Sequence, residues 1–258
     1  MQHSEKFEAP MAEPVSRAAW TRLVALLNAY VADGRNLYGV DGGFRDGFIW
    51  QDEISGMSNV EDWNLPTLIT RSLARTAFKE MTPEDDFSRL LYIACVFSCK
   101  NSIEDVVQVS KFASLQVPDL GSLFLQLCEH AQRGPVEGFE FVQASDLSKL
   151  GLRVSSTLLY LCSPQDNRAP VIDAHTAWWL AKHDQITSNA IRSEDWKDAA
   201  SYRGYAEFCR LSIEQFARSG HLPDGCFETE FIHYLIQCDV EGLLLDIKSR
   251  PWFQGIQR

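Results

Sequence analysis

The stretch from Gly151 to Asp184 reads GLRVSSTLLYLCSPQDNRAPVIDAHTAWWLAKHD. A glycine turn opens it, and the apolar run from Val154 to Cys162 then has helical spacing. Ser163-Pro164-Gln165-Asp166-Asn167 is a polar loop bounded by proline. Ala169-Pro170-Val171-Ile172 is predicted to be extended, because proline disfavours helix in the residue before it. This segment delivers Asp173 to the first position of a second helix. Aspartate is a favoured N-cap, so spacing alone gives Asp173 the task of accepting hydrogen bonds from the orphan amides there.

Helical periodicity continues on both sides. Trp20, Leu23, Leu26, Leu27 and Tyr30 predict a helix from Val15 to Ala32. From Leu65 onward the pattern is helical almost to the end. Pro66 suits a first turn, Thr82-Pro83-Glu84-Asp85 suits a helix start, and Phe87, Leu90, Leu91 and Ala94 repeat behind it. Further helices are predicted at 101–115, 118–133, 154–162, 174–184, 202–218 and 228–248. The breaks at Pro118, Gly134-Pro135, Pro164, Pro170 and 220–225 are too short for free linkers. Gly39, Gly42, Gly43 and Gly47 punctuate two aromatic runs ending in Phe48-Ile49-Trp50, so a small β or irregular element is expected near residues 37–50. Their spacing fits neither a P-loop nor a dinucleotide fingerprint. The reading is a mostly α protein: a loose arm over 1–14, then a single globular unit of two helical lobes over 15–258.

Composition narrows the partners. The chain has 258 residues, 45% apolar and 23% charged, which excludes disordered and collagen-like classes. Its net charge of −11 argues against indiscriminate adhesion to nucleic acid or acidic membranes. Within 145–185, however, Lys149, Arg153, Arg168 and Lys182 balance Asp146, Asp166, Asp173 and Asp184, so a polyanion is tolerated there and repelled elsewhere. The opening MQHSEKFEAPMAEP lacks a signal-peptide core, and no run approaches the roughly 20 apolar residues of a membrane span. The expected location is cytoplasmic. The 7 cysteines never form a Cys-x-x-Cys pair and read as reduced core thiols, with no metal and no cofactor expected.

The run from Ala169 to Asp184 resembles the catalytic segment of the helix-hairpin-helix DNA glycosylases, in their 8-oxoguanine DNA glycosylase-like branch: a proline-containing strand, an aspartate (Asp173) and a histidine two residues later (His175). Upstream, Phe97-Ser98-Cys99-Lys100-Asn101-Ser102-Ile103 is similar to the family's wedge turn, which fills the gap left by an extruded base. Downstream, Tyr202-Arg203-Gly204-Tyr205-Ala206-Glu207 resembles the helix that closes the base pocket. The catalytic segment spans 147–215. The chain departs from the family at the hairpin, where Leu150-Gly151-Leu152-Arg153-Val154 lacks the second glycine. It departs again at the catalytic lysine, whose register falls on Ser155, Ser156 or Thr157.

The resemblance implies a two-lobed helix-hairpin-helix fold and a DNA glycosylase that flips out a modified base and leaves an abasic site. Asp173 would stabilise the positive charge that develops on the sugar. Without a lysine amine there is no imine, so the enzyme would be monofunctional. DNA contacts would come from the turn at Gly151, Arg153 and Ser155, from His175, and from Lys100 and Asn101. The base pocket would involve Glu207, Leu211, Tyr205 and Thr157. A buried Glu207 would accept from an exocyclic amine, which suits a modified cytosine, such as the glucosylated hydroxymethylcytosine of some phages, and a role in antiviral defence. The alternatives are an 8-oxoguanine repair glycosylase and a non-catalytic helical DNA-binding or adaptor protein. The expected partner is duplex DNA carrying a modified base, with no membrane and no obligatory protein partner. The residues themselves leave other roles open: His175, Trp178, Trp179 and Tyr205 also suit a packed core, Lys100 and Asn101 a solvated helix start, and Glu207 a surface charge.

Overall fold

Apolar residues at helical spacing dominate this computed structural model, which describes residues 15–33, 37–44, 64–82, 87–99, 119–183, 199–220, 222–223, 226 and 228–240. Helix α1, Arg17–Asp33, buries Ala19, Trp20, Leu23, Leu26, Leu27 and Tyr30 along one stripe. After a short helix α2, Leu37–Val40, strand β1, Gly42–Phe44, pairs antiparallel with β2, Leu68–Thr70. Gly42 lies opposite Thr70, and a Cβ on it would stand 2.1 Å from the carbonyl oxygen of Ile69, so only glycine fits.

This ribbon corrects the reading of Pro66 as the first turn of a helix. The chain from Leu68 is extended because its amides pair with β1, and helix α3, Arg71–Lys79, starts only after Thr70. The Thr70 hydroxyl caps that helix by accepting from the Leu73 amide at 3.2 Å. Helix α4, Phe87–Cys99, and helix α5, Leu120–Arg133, follow. The break read at Gly134-Pro135 is a corner: Pro135 occupies the first turn of an unforeseen helix α6, Pro135–Ala144, where its missing N–H costs nothing.

A 3-10 turn, Asp146–Leu150, leads through Gly151 into α7, Leu152–Cys162, which is buried from Val154 to Leu161 and packs against α3, α4, α5 and α6. Helix α8, Ala174–Lys182, begins at Asp173; α9, Ala199–Arg218, and α10, Glu230–Val240, complete the elements. One buried apolar cluster runs from Val15 to Cys238 and includes Trp179, Tyr202, Phe208, Phe216 and Phe231. Phe139 of α6 stacks on Tyr202 of α9 with centroids 4.1 Å apart. The protein is mostly α, as its sequence predicts. The arm 1–14, the predicted helix 101–115 and residues 241–248 of the last predicted helix lie outside the described residues. Among the described residues no helix is long and apolar enough to cross a membrane.

The segment between α7 and α8 runs through the core, so its backbone groups need partners. The Tyr202 hydroxyl donates to the Pro170 carbonyl and the Tyr205 hydroxyl to the Val171 carbonyl, each at 3.0 Å. The Val171 amide donates to Glu230 at 2.9 Å, and the Ile172 amide to the Ser156 hydroxyl at 3.1 Å. Helices α7, α9 and α10 thus hold the segment in place and fix where Asp173 emerges.

Candidate active site

Asp173 has extended backbone angles and caps α8, accepting from the Thr176 amide at 2.8 Å and the Thr176 hydroxyl at 2.9 Å through Oδ1. It does more than a cap requires. The Gln237 amide nitrogen stands 3.0 Å from each carboxylate oxygen, His233 Nε2 lies 3.7 Å from Oδ2, and Arg153 Nε lies 3.9 Å from it. The last two distances are ionic contacts rather than hydrogen bonds. Burial would raise the Asp173 pKa, but His233, Arg153 and the Thr176 amide hold it well below the usual carboxylate range. The group stays an anion throughout the physiological range.

Behind Asp173 a chain of buried charges continues. His233 Nδ1 is 3.0 Å from Glu230 Oε1, the same oxygen accepts from Arg71 at 3.1 Å, and Arg71 reaches Asp41 at 3.0 Å. Burial pushes the His233 pKa down, yet the Glu230 and Asp173 carboxylates overcome it and lift the imidazole to about 9. Glu230 would likewise rise on burial, but His233, Arg71 and the Val171 amide keep it ionised. The Arg71 guanidinium also lies 4.2 Å above the Tyr38 ring.

A polar cavity opens beside this chain, lined by Asp41, Arg71, Phe97, Thr157, Glu230 and Tyr234 among others. Its lining also includes Arg153, His233 and Gln237, the three side chains that converge on the Asp173 carboxylate. The space open to a water centre is about 20 Å³, enough for a water molecule and too little for a nucleobase in this conformation. Two buried atoms of lining residues, His233 Nε2 and Gln237 Oε1, have no hydrogen-bond partner among the described residues. A cavity edged by a fixed anion, a buried cation and an unfilled acceptor is suited to polar chemistry on a bound group.

The family described as "Putative 8-oxoguanine DNA glycosylase OGG-like protein" matches residues 48–224 of the chain. The chain belongs to this family. No curated protein and no solved structure matches it. Membership in the OGG-like family makes the chain a DNA glycosylase at family level and implies DNA binding, and the helical fold agrees with it.

The structure places the expected OGG-like site residues unevenly. Asp173 and Thr157 are buried, and Thr157 lines the cavity with its hydroxyl 3.1 Å from Ser98. Gly151 turns the chain into α7 with φ 82°, and Arg153 is half-buried at the cavity. His175 is exposed two residues beyond the cap. Tyr205 is buried and pins Val171, while Leu211 packs against the core. Lys100 and Asn101 lie outside the described residues.

Two expectations are corrected. Ser155 is turned inward: it is 1% exposed, and its amide and hydroxyl both donate to the Gly151 carbonyl, at 3.0 and 2.7 Å, so neither is open to a phosphate. Glu207 is not buried: its side chain is 43% exposed and bonded to Arg210 at 2.6 and 2.8 Å, with Arg210 holding its carboxyl below the usual range. A carboxylate already paired in water does not select an amino-bearing base, and the cytosine argument loses its residue. The sequence reading missed Arg71, Glu230, His233 and Gln237. A signal for three of them is present, since Glu230, His233 and Gln237 form a polar stripe at helical spacing through the apolar run Phe231, Ile232, Tyr234, Leu235 and Ile236.

Proposed function

We propose that the protein is a monofunctional DNA glycosylase that hydrolyses the bond between deoxyribose and a modified base. The observation carrying this reading is the buried Asp173 carboxylate, kept ionised by His233, Arg153 and the Thr176 amide and gripped by Gln237, with His233, Arg153 and Gln237 lining a polar cavity. As the bond to the base breaks, positive charge develops at C1′ and its ring oxygen. A preorganised anion stabilises that charge without reorganisation. Such a carboxylate is a weak base, so its main task is electrostatic, with orientation of the attacking water second.

Lyase chemistry through an imine needs an amine. By the family resemblance the register of the lysine falls on Ser155, Ser156 or Thr157, none of which carries an amine, and no lysine lines the cavity among the described residues. Product release would leave an intact strand with an abasic site. The first-turn amides of α7 and the Arg153 guanidinium would receive a phosphate, with the exposed His175 as a further donor.

The test uses four duplexes, carrying 8-oxoguanine, 7-methylguanine, N6-methyladenine or glucosylated hydroxymethylcytosine. The expected result is a free base by mass spectrometry from at least one, with strand breaks only after hot alkali. DNA binding with no base released from any of them would replace this reading with that of a non-catalytic binder.

A further inference from the structure

We propose that His233 is the general acid of the reaction, donating the proton on Nε2 to the departing base while Asp173 stabilises the sugar. This rests on the glycosylase reading and adds the half of the chemistry that Asp173 cannot perform. A base leaving as an anion is a poor leaving group, and an enzyme without an imine intermediate gains most from protonating it.

Three features of the site carry the assignment. His233 lines the cavity, is 6% exposed, and its Nε2 has no hydrogen-bond partner among the described residues. Its other nitrogen is fixed, since Nδ1 lies 3.0 Å from Glu230, and Glu230 is in turn held by Arg71 and the Val171 amide. This orients the ring and leaves Nε2–H as the free donor. Lastly, Nε2 is 3.7 Å from Asp173 Oδ2, so acid and anion stand side by side, as the two ends of one glycosidic bond require.

The charged groups around the imidazole explain why it carries a proton to give. Asp173 at the start of α8 and Glu230 on α10 face it as anions, while Arg153 and Arg71 stand one group further out, each beside one of those carboxylates, and Asp41 lies beyond Arg71. With two carboxylates in contact, the ring is cationic up to about pH 9.

The step balances. The electron pair of the C1′–N bond passes to the base, which takes the proton from His233 Nε2. A water oxygen bonds to C1′, and the proton it releases returns through Asp173 or solvent to His233. One water is consumed, and the products are the protonated free base and a sugar hydroxyl.

The experiment measures single-turnover release from pH 6 to 10, using whichever of the four duplexes reacts fastest. Wild type should lose about tenfold per pH unit above pH 9, and His233→Gln should be on the order of 100-fold slower at pH 7.5 with no such limb. Affinity of the variant for abasic-analogue DNA should stay within about threefold, because the lost group acts on the leaving base rather than on phosphates. A folded variant that keeps the alkaline limb, or releases base within about fivefold of wild type, would overturn the assignment while leaving the glycosylase reading intact. Should His233→Gln not fold, the wild-type profile decides alone, and a rate flat to pH 10 rejects the acid. Release of no base by wild type would remove both.

Discussion

Gln237 grips both oxygens of Asp173 with one nitrogen, at 3.0 Å to Oδ1 and 3.0 Å to Oδ2. A carboxylate held this way cannot rotate, and its charge points in one direction before any substrate arrives. Replacing Asp173 by Asn keeps a capping oxygen and removes the charge. Asp173→Asn should lower the rate of base release by roughly 100- to 1,000-fold, the scale seen when one preorganised electrostatic group is lost, with DNA affinity nearly unchanged. Single-turnover release beside a binding titration checks it.

Gln237→Leu removes the grip but not the charge. The expected result is a smaller defect, about tenfold, with a normal pH profile, since orientation is lost while ionisation persists. A defect as deep as that of Asp173→Asn would mean that the amide touches substrate itself.

Stability should depend on pH with a definite sign. His233 titrates near 6.5 when unfolded and near 9 when folded, so its contribution is fully present below about pH 6.5 and is lost as pH rises through 9. Asp173 and Glu230 are depressed, so theirs is present above about pH 4 and is lost as pH falls below it. Thermal unfolding across pH 3 to 10 should show a plateau between pH 5 and 6.5 that declines on both sides, with a flatter alkaline side in His233→Gln.

Arg71 donates to Asp41, Glu230 and the Tyr38 carbonyl, all buried. Arg71→Leu removes the buried cation that Asp41 and Glu230 share and should cost about 3–5 kcal/mol, read as a loss in chemical denaturation. The double change Arg71→Leu with Glu230→Gln should recover part of that loss.

Gly151 has φ 82° and ψ 159°, which side-chain-bearing residues reach only under strain. Gly151→Ala should destabilise by about 1–3 kcal/mol. It should also weaken DNA binding if the first-turn amides of α7 hold a phosphate. Equal affinity for DNA in a folded Gly151→Ala variant would remove that contact from the interface.

The parts of this fold that were legible in the sequence are those written in local chemistry. Pro170 favours an extended segment, Asp173 suits the cap behind it, and the spacing predicts helices over 154–162 and 202–218, which the structure extends to Leu152–Cys162 and Ala199–Arg218. Helical spacing does not say which pole of a helix faces inward, so it leaves Glu207 equally suited to a pocket and to the surface, where the structure puts it. Strand β1 falls within the small β element expected near residues 37–50, but its partner at Leu68–Thr70 carries no local signal, because the pairing of Gly43 with Ile69 spans a stretch that no local pattern connects. The site's second half was hidden for the same reason: Arg71 and Glu230 are 159 positions apart, and Asp173 and Gln237 are 64 apart.

Helix α10 begins at Glu230, past the last residue by which the family is recognised. A fragment trimmed to 48–224 would contain Asp173 yet lose the amide that aims it, the imidazole beside it and the carboxylate opposite Arg71. The portion that announces kinship is therefore shorter than the portion that must travel together. Grafting, shuffling or minimising this protein has to keep the chain through at least Val240, or the transplanted aspartate arrives without its surroundings.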